Sequence, residues 1–190
     1  MARLALAGIA RLPAEDRDAT LTNVPRESLD VIETTGRLSW VPLEHQLAIN
    51  TAALDHLGPR RFEEMWRDVS RRSTQEALFS SFVSGLLRVC GASPLLLLKI
   101  IPRAIHQVAR DVGSYEVLPS QQAGQAQIVH YDIPPLLRDD ETWARVMGTS
   151  LHVPMDLLAI PGEVQMHRTQ STGRIEYDIR WSVGAARASG

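Results

Sequence analysis

The amino-acid sequence predicts an α+β fold in which helices pack on one face of a four-stranded antiparallel sheet, in the order helices, hairpin, helix, hairpin. Three observations predict it. Apolar residues recur at helical spacing from position 42 to position 112. The period changes at 114, where Tyr115 and Val117 alternate with polar neighbours. The last segment alternates strictly: Ile175, Tyr177, Ile179, Trp181 and Val183 face one way, and Arg174, Glu176, Asp178 and Arg180 the other. Such alternation gives one buried and one wet face, an antiparallel habit.

The elements follow in order. Pro13 and Pro25 punctuate residues 1–41, and Pro25 opens a short helix (PRESLDVIE). Val41 before Pro42 is extended, because the proline ring crowds the helical region of the preceding residue. Pro42 suits a first helical position. Leu43, Leu47, Leu54 and Leu57 follow, up to a stop at Gly58-Pro59. Phe62, Met65, Trp66 and Val69 form the apolar stripe of a second helix. Its other side offers opposite-sign i,i+4 pairs: Arg60 with Glu64, Glu63 with Arg67, Asp68 with Arg72. Ser73-x-x-Glu76 has the form of a capping box. It would open a helix with the stripe Phe79, Phe82, Val83, Leu86, Leu87 and Cys90, ended by Gly91. Pro94 opens another, striped by Leu95, Leu98, Ile101, Ile105, Val108 and Val112 and ended by Gly113. Pro102 removes a backbone bond to Leu98, which predicts a kink or split.

In the second part, Ile128 to Ile133 reads as a strand with Val129, Tyr131 and Ile133 on one face. Asp139 or Asp140 caps a helix. That helix carries Trp143, Met147, Leu151, Met155 and Leu158, with a kink at Pro154. Val164 and Met166 alternate in a third strand. Residues 1–183 read as one α+β domain, with 1–35 a helical extension and 184–190 a flexible tail.

The composition narrows the function. The chain has 190 residues, net charge −2 and one cysteine, Cys90. A single cysteine makes neither an intrachain disulfide nor a thiolate zinc site. The near-neutral charge gives no electrostatic footprint for nucleic acid. Of 20 basic residues all but Lys99 are arginine, a bias that fits a GC-rich genome. Arg11 interrupts the apolar run of residues 1–10, against a signal peptide. Gly91, Pro94 and Pro102 break residues 77–102, against a membrane span. The expectation is a soluble, cytoplasmic, bacterial protein.

No motif names a reaction. The six histidines show no i,i+4 metal pair. His130 and His167 could meet on the wet face of the sheet, but no acid or thiolate accompanies them. His106 sits on the charged stripe of its helix, as a solvated side chain does. There is no Gly-x-Ser-x-Gly elbow and no phosphate loop. The reading is therefore not an enzyme, with no metal and no cofactor.

What remains is a surplus of apolar surface between helices and sheet, either solid core or the wall of an apolar pocket. The pocket candidates are Phe79, Phe82, Val83, Leu86, Leu98, Ile101, Trp143, Met147 and Leu151. The arginine-rich stretch supplies a candidate partner surface at Arg60, Arg61, Arg67, Arg71 and Arg72, although a solvated face laced with ion pairs explains it more simply.

The chain resembles a myxobacterial family of unknown function, of about this length. That family lies in the wider group of 4-vinyl reductase-type, TRAPP-like and haem-NO-binding-like domains. The resemblance rests on Trp40-Val-Pro42 before a helix, on Pro94, Leu98, Pro102 and Gly113, on Gly148, and on the terminal strand Tyr177-x-Ile179-x-Trp181. It covers roughly residues 36–182. It implies helices over a four-stranded antiparallel sheet, and small apolar-ligand sensing or adaptor roles in dimers and assemblies. Relatives often carry cysteines in the last hairpin, but here none follows Cys90. The Tyr-x-Ser-x-Arg signature of the haem sensors is absent, so haem is not carried over. The leading expectation is a non-catalytic sensor in signalling or regulation that holds a small apolar ligand. The second is a protein–protein adaptor with a filled core, as a homodimer or assembly subunit.

Overall fold

Proline begins several helices, because its fixed φ suits a helix start and its missing N–H costs nothing there. Pro13 and Pro25 stand at the N-caps of α2 (Ala14–Asn23) and α3 (Arg26–Thr34), after α1 (Ala2–Ile9). The long α4 (Leu43–Gln75) bends at Gly58, whose φ of 73° leaves the helical region, and so divides where the sequence places a stop. Then come α5 (Pro94–Val108), β1 (Ser114–Pro119), β2 (Gln125–Tyr131), α6 (Pro135–Arg138), α7 (Glu141–Ser150), α8 (Val153–Leu157), β3 (Gly162–Thr169) and β4 (Arg174–Trp181). The computed structural model describes residues 1–36, 39–75, 85, 93–169 and 173–183.

The four strands form one antiparallel sheet in the order β1-β2-β4-β3. Its inner face meets α5, α7 and α8. This cluster centres on Leu98, Ile128, Trp143, Leu151 and Tyr177, all fully buried. A second cluster joins α1 to α4 through Ala5, Ile9, Ile49, Phe62 and Trp66. The two meet along α4, which gives Leu47 to the first and Ile49, Ala53 and Leu57 to the second. Phe62, Met65, Trp66 and Val69 are buried, as their spacing predicts.

Several local expectations differ. Ser73 opens no helix: it lies inside α4, and its hydroxyl donates back to the Ser70 carbonyl. Glu76 and the helix expected behind it, up to Cys90, lie outside the described residues apart from Gly85. Pro102 does not split α5, which runs unbroken to Val108. Ala109 then turns extended, so Val112 is buried without being helical. The helix after Asp140 divides at Leu151-His152, and Pro154 sits near the start of α8 rather than at a kink. Asp140 caps α7, accepting from Trp143 N at 2.7 Å. Val183 lies beyond the end of β4 and is 67% exposed.

The core face of β2 is also one residue away from the expected one. Ala126 opposes Ile179, Ile128 opposes Tyr177 and His130 opposes Ile175, so these three share the inner face. The sequence window misleads because β2 stops at Tyr131 and Asp132 takes φ 53°. Ile133 is then buried without belonging to the alternation that includes Val129. Since side chains alternate with period two, a one-residue offset changes every assignment. His130 is therefore buried inside, whereas His167 opposes Glu176 on the outer face. The two histidines lie on opposite sides of the sheet and cannot share a metal.

Candidate functional site

A groove of about 830 Å³ opens where the first turns of α1 and α4, the end of α5 and the link from β2 to α6 converge. Ala2, Trp40, Val41, Leu43, Ala109, Pro134 and Leu136 give it apolar walls. Trp40 is 39% exposed and Leu136 is 50% exposed, and both stand on this groove. Asp111, with φ 54°, makes the turn after α5 that borders it. A left-handed non-glycine residue stores strain, and aspartate tolerates it better than most.

Gln46 supplies the polar group. It is only 5% exposed, lines the groove, and its Nε2 has no hydrogen-bond partner among the described residues. One turn later Asn50 is fully buried with neither amide atom partnered. At about 100° per residue, both project between the direction of Leu47 and that of Ile49. They thus stand where the two apolar clusters divide. Native folds rarely leave such groups unmet, and each one calls for an occupant or a water.

Two arginines line the same groove. Arg3 is committed to the backbone, donating to the carbonyls of Ile32, Thr35 and Gly36 at the end of α3. Arg110 stacks its guanidinium on the Trp40 ring, 4.4 Å from the centroid. It pairs with no carboxylate among the described residues. Sequence reasoning missed Gln46, Asn50 and Arg110. The signal was present in one form: two amides four apart, set inside an otherwise apolar helix face.

The described pocket candidates read from the sequence lie elsewhere. Leu98, Trp143 and Leu151 are fully buried, Met147 is 2% exposed and Ile101 is half-buried, all in the cluster between helices and sheet. Phe79, Phe82, Val83 and Leu86 lie outside the described residues. Beside this cluster Trp143 Nε1 donates to Tyr115 Oη at 3.0 Å. His130 donates from Nε2 to the Val112 carbonyl at 2.6 Å, which leaves Nδ1 as a buried acceptor without a partner. Burial pushes the His130 imidazole down to about 4, against the opposing pull of that carbonyl.

The arginine stretch is paired throughout. Arg60 meets Glu64 at 3.0 Å, and Arg72 meets Asp68 at 2.7 Å, as the spacing predicts. Arg71 also reaches Asp68. Arg61 crosses to Asp16 of α2 and, with His56, holds that carboxyl below its usual range. Arg67 does not pair with Glu63. Its Nε donates to Asp156 of α8 at 2.9 Å, and Glu63 instead takes Arg145 of α7. The elements packed across α4 offer these partners, which the sequence of α4 alone does not contain. A second groove of about 690 Å³ includes Arg67, Arg71, Asp156 and Ile160.

No helix among the described residues is long and apolar enough to cross a membrane, and no three of their His, Cys, Asp or Glu side chains gather as a metal cluster. The chain matches no family model and no curated protein. Solved structures do match. An Fe(II) unliganded H-NOX protein from K. algicida superposes with TM-score 0.61 at 9% identity, covering 95% of this chain and 96% of that one. A variant of the T. tengcongensis H-NOX gives 0.56 at 12%, covering 95% and 97%. An oxygen-binding H-NOX domain related to soluble guanylate cyclases gives 0.55 at 13%, covering 98% and 96%. Over nearly its whole length, the chain has the fold of H-NOX domains.

Proposed function

We propose that this chain is a non-catalytic, ligand-binding sensor domain whose ligand occupies the groove between α1, α4 and the end of α5. One observation carries the reading: the Gln46 amide, 5% exposed and unpartnered at Nε2, stands on the wall of a groove that also bears Trp40 and Leu136. An apolar concavity with a few convergent polar groups is the ordinary form of a small-molecule site. The fold supports the reading, since one neighbour is an oxygen-binding domain related to soluble guanylate cyclases.

Haem distortion has been probed in the H-NOX family, so haem is the group the fold implies. The donor set described here does not fit it. Haem iron takes an imidazole, thiolate or phenolate, with methionine only as the partner of a histidine, and no described histidine, cysteine or tyrosine lines the walls. His106, next to the wall residue Gln107, is exposed. His130 is engaged with Val112, His45 with Ser28, His56 with Asp16 and His167 with Asp178, and His152, whose buried Nδ1 has no partner among the described residues, stands between α7 and α8 and does not line the groove. The ligand is therefore taken to be held by the apolar walls and the amide, without iron.

Native mass spectrometry of the purified chain tests this. The expected result is a retained small molecule that is lost in Trp40→Ala. A bare polypeptide mass, together with no thermal shift on adding aliphatic or aromatic ligands, would count against the proposal.

A further inference from the structure

Two hydrogen-bond donors on the groove lack a matching acceptor, and both ask for the same chemistry. Gln46 Nε2 is buried without a partner. Arg110 holds its Cζ 4.4 Å from the Trp40 ring centroid and has no hydrogen-bond or ion-pair partner among the described residues, so its N–H groups are available to donate. From this we infer that the groove takes an amphipathic carboxylate, an inference that rests on the groove being the ligand site.

The other groups on the wall agree. The apolar surface of Trp40, Leu43, Pro134 and Leu136 suits a hydrocarbon or aromatic body. Arg3 is not available to a ligand, because three backbone carbonyls hold it. Glu44 and Asp111, the two carboxylates on the wall, are both exposed to solvent. They offset the charge of the two arginines, and burial pushes the Met1 amino group on the same wall toward its neutral form, so the groove as a whole carries little net charge. Selection of the acid comes from the local donors. A planar fork binds a carboxylate through two parallel hydrogen bonds, and the buried amide donates a third or meets the far oxygen. An uncharged ester of the same body keeps the apolar contacts and loses the charge-assisted bonds.

The experiment uses the full chain, dodecanoate, its methyl ester and dodecylammonium, with calorimetric titration as the readout and, beside it, the change in tryptophan emission that Trp40→Phe removes. Dodecanoate is expected to bind at least about tenfold more tightly than the ester, the order expected for a charge-assisted pair. Arg110→Gln should weaken dodecanoate about tenfold or more and remove the preference over the ester. Gln46→Leu should also weaken it. Without ligand this variant should melt no lower than the parent, because it removes a buried donor that has no partner, so loss of folding does not mask the result.

Equal binding of acid and ester, or tighter binding of dodecylammonium, overturns the carboxylate inference and leaves the groove as the site. Haemin binding with a Soret shift that disappears in His106→Ala also overturns it. If none of the probes binds, and Gln46→Leu and Arg110→Gln leave every titration flat, both the inference and the sensor reading fail.

Discussion

The imidazole of His130 lies flat on the ring of Tyr115, with centroids 4.1 Å apart and planes 9° from parallel. The stack closes the end of the sheet where β1 pairs with β2. It holds His130 neutral: its Nε2–H is spent on Val112, and a proton added at Nδ1 would have no acceptor.

His130 makes stability depend on pH in a defined direction. Its ordinary value of 6.5 falls to about 4 in the fold. Between those limits the unfolded chain binds a proton that the native chain refuses. The stabilisation is complete above pH 6.5 and is lost as pH falls toward 4, at up to about 1.4 kcal/mol per pH unit. Urea midpoints at pH 7 and pH 4.5 should show His130→Phe losing less stability on acidification than the parent. Equal losses would contradict the assignment.

Gly8 lets α1 lie close against α4. A methyl group there would stand 2.6 Å from Val69 Cγ2 and 3.2 Å from Met65 Cγ. Valine has little rotamer freedom in a helix and cannot move aside cheaply. Overpacking of this kind costs about 1–3 kcal/mol, against about 1 kcal/mol gained in helix propensity. Gly8→Ala should lower Tm by a few degrees. The same change made in a Val69→Ala background should be neutral or stabilising.

Arg145 joins two segments of sequence, since it pairs with Glu63 of α4 and Glu141 of its own helix, and its side chain is 22% exposed. Arg60 and Glu64 are an i,i+4 pair with side chains 91% and 62% exposed. Exposed pairs contribute about 0–1 kcal/mol, and partly buried charge-assisted bonds contribute more. Arg145→Ala should therefore destabilise by about 1–2 kcal/mol, and Arg60→Ala by no more than a few tenths. Chemical denaturation of the two variants side by side checks the ranking.

Asp140 accepts from both Trp143 N and Thr142 Oγ1 at the start of α7. Asp140→Ala should cost about 1 kcal/mol, whereas Asp140→Asn should retain most of the cap. The same denaturation assay separates them. A loss in Asp140→Asn as large as in Asp140→Ala would show that charge, rather than cap geometry, governs the effect.

The sequence by itself determined what depends on neighbours along the chain. The break at Gly58-Pro59, the buried stripe Phe62, Met65, Trp66 and Val69, a cap at Asp139 or Asp140 and the alternation of Ile175, Tyr177 and Ile179 all follow from local period and backbone preference. Tertiary structure decided what depends on partners distant in sequence. The inner face of β2 was set by pairing with β4 and by the turn at Asp132, beyond the reach of a six-residue window. Arg67 found Asp156, and Glu63 found Arg145, only once α7 and α8 packed across α4. The groove has the same origin. Ala2, Trp40, Gln46, Arg110 and Leu136 carry no shared spacing, and only chain closure brings them to one wall. A polar amide on an apolar helix face is visible in sequence, but whether it meets solvent, a partner or nothing is decided by what the rest of the fold places opposite it.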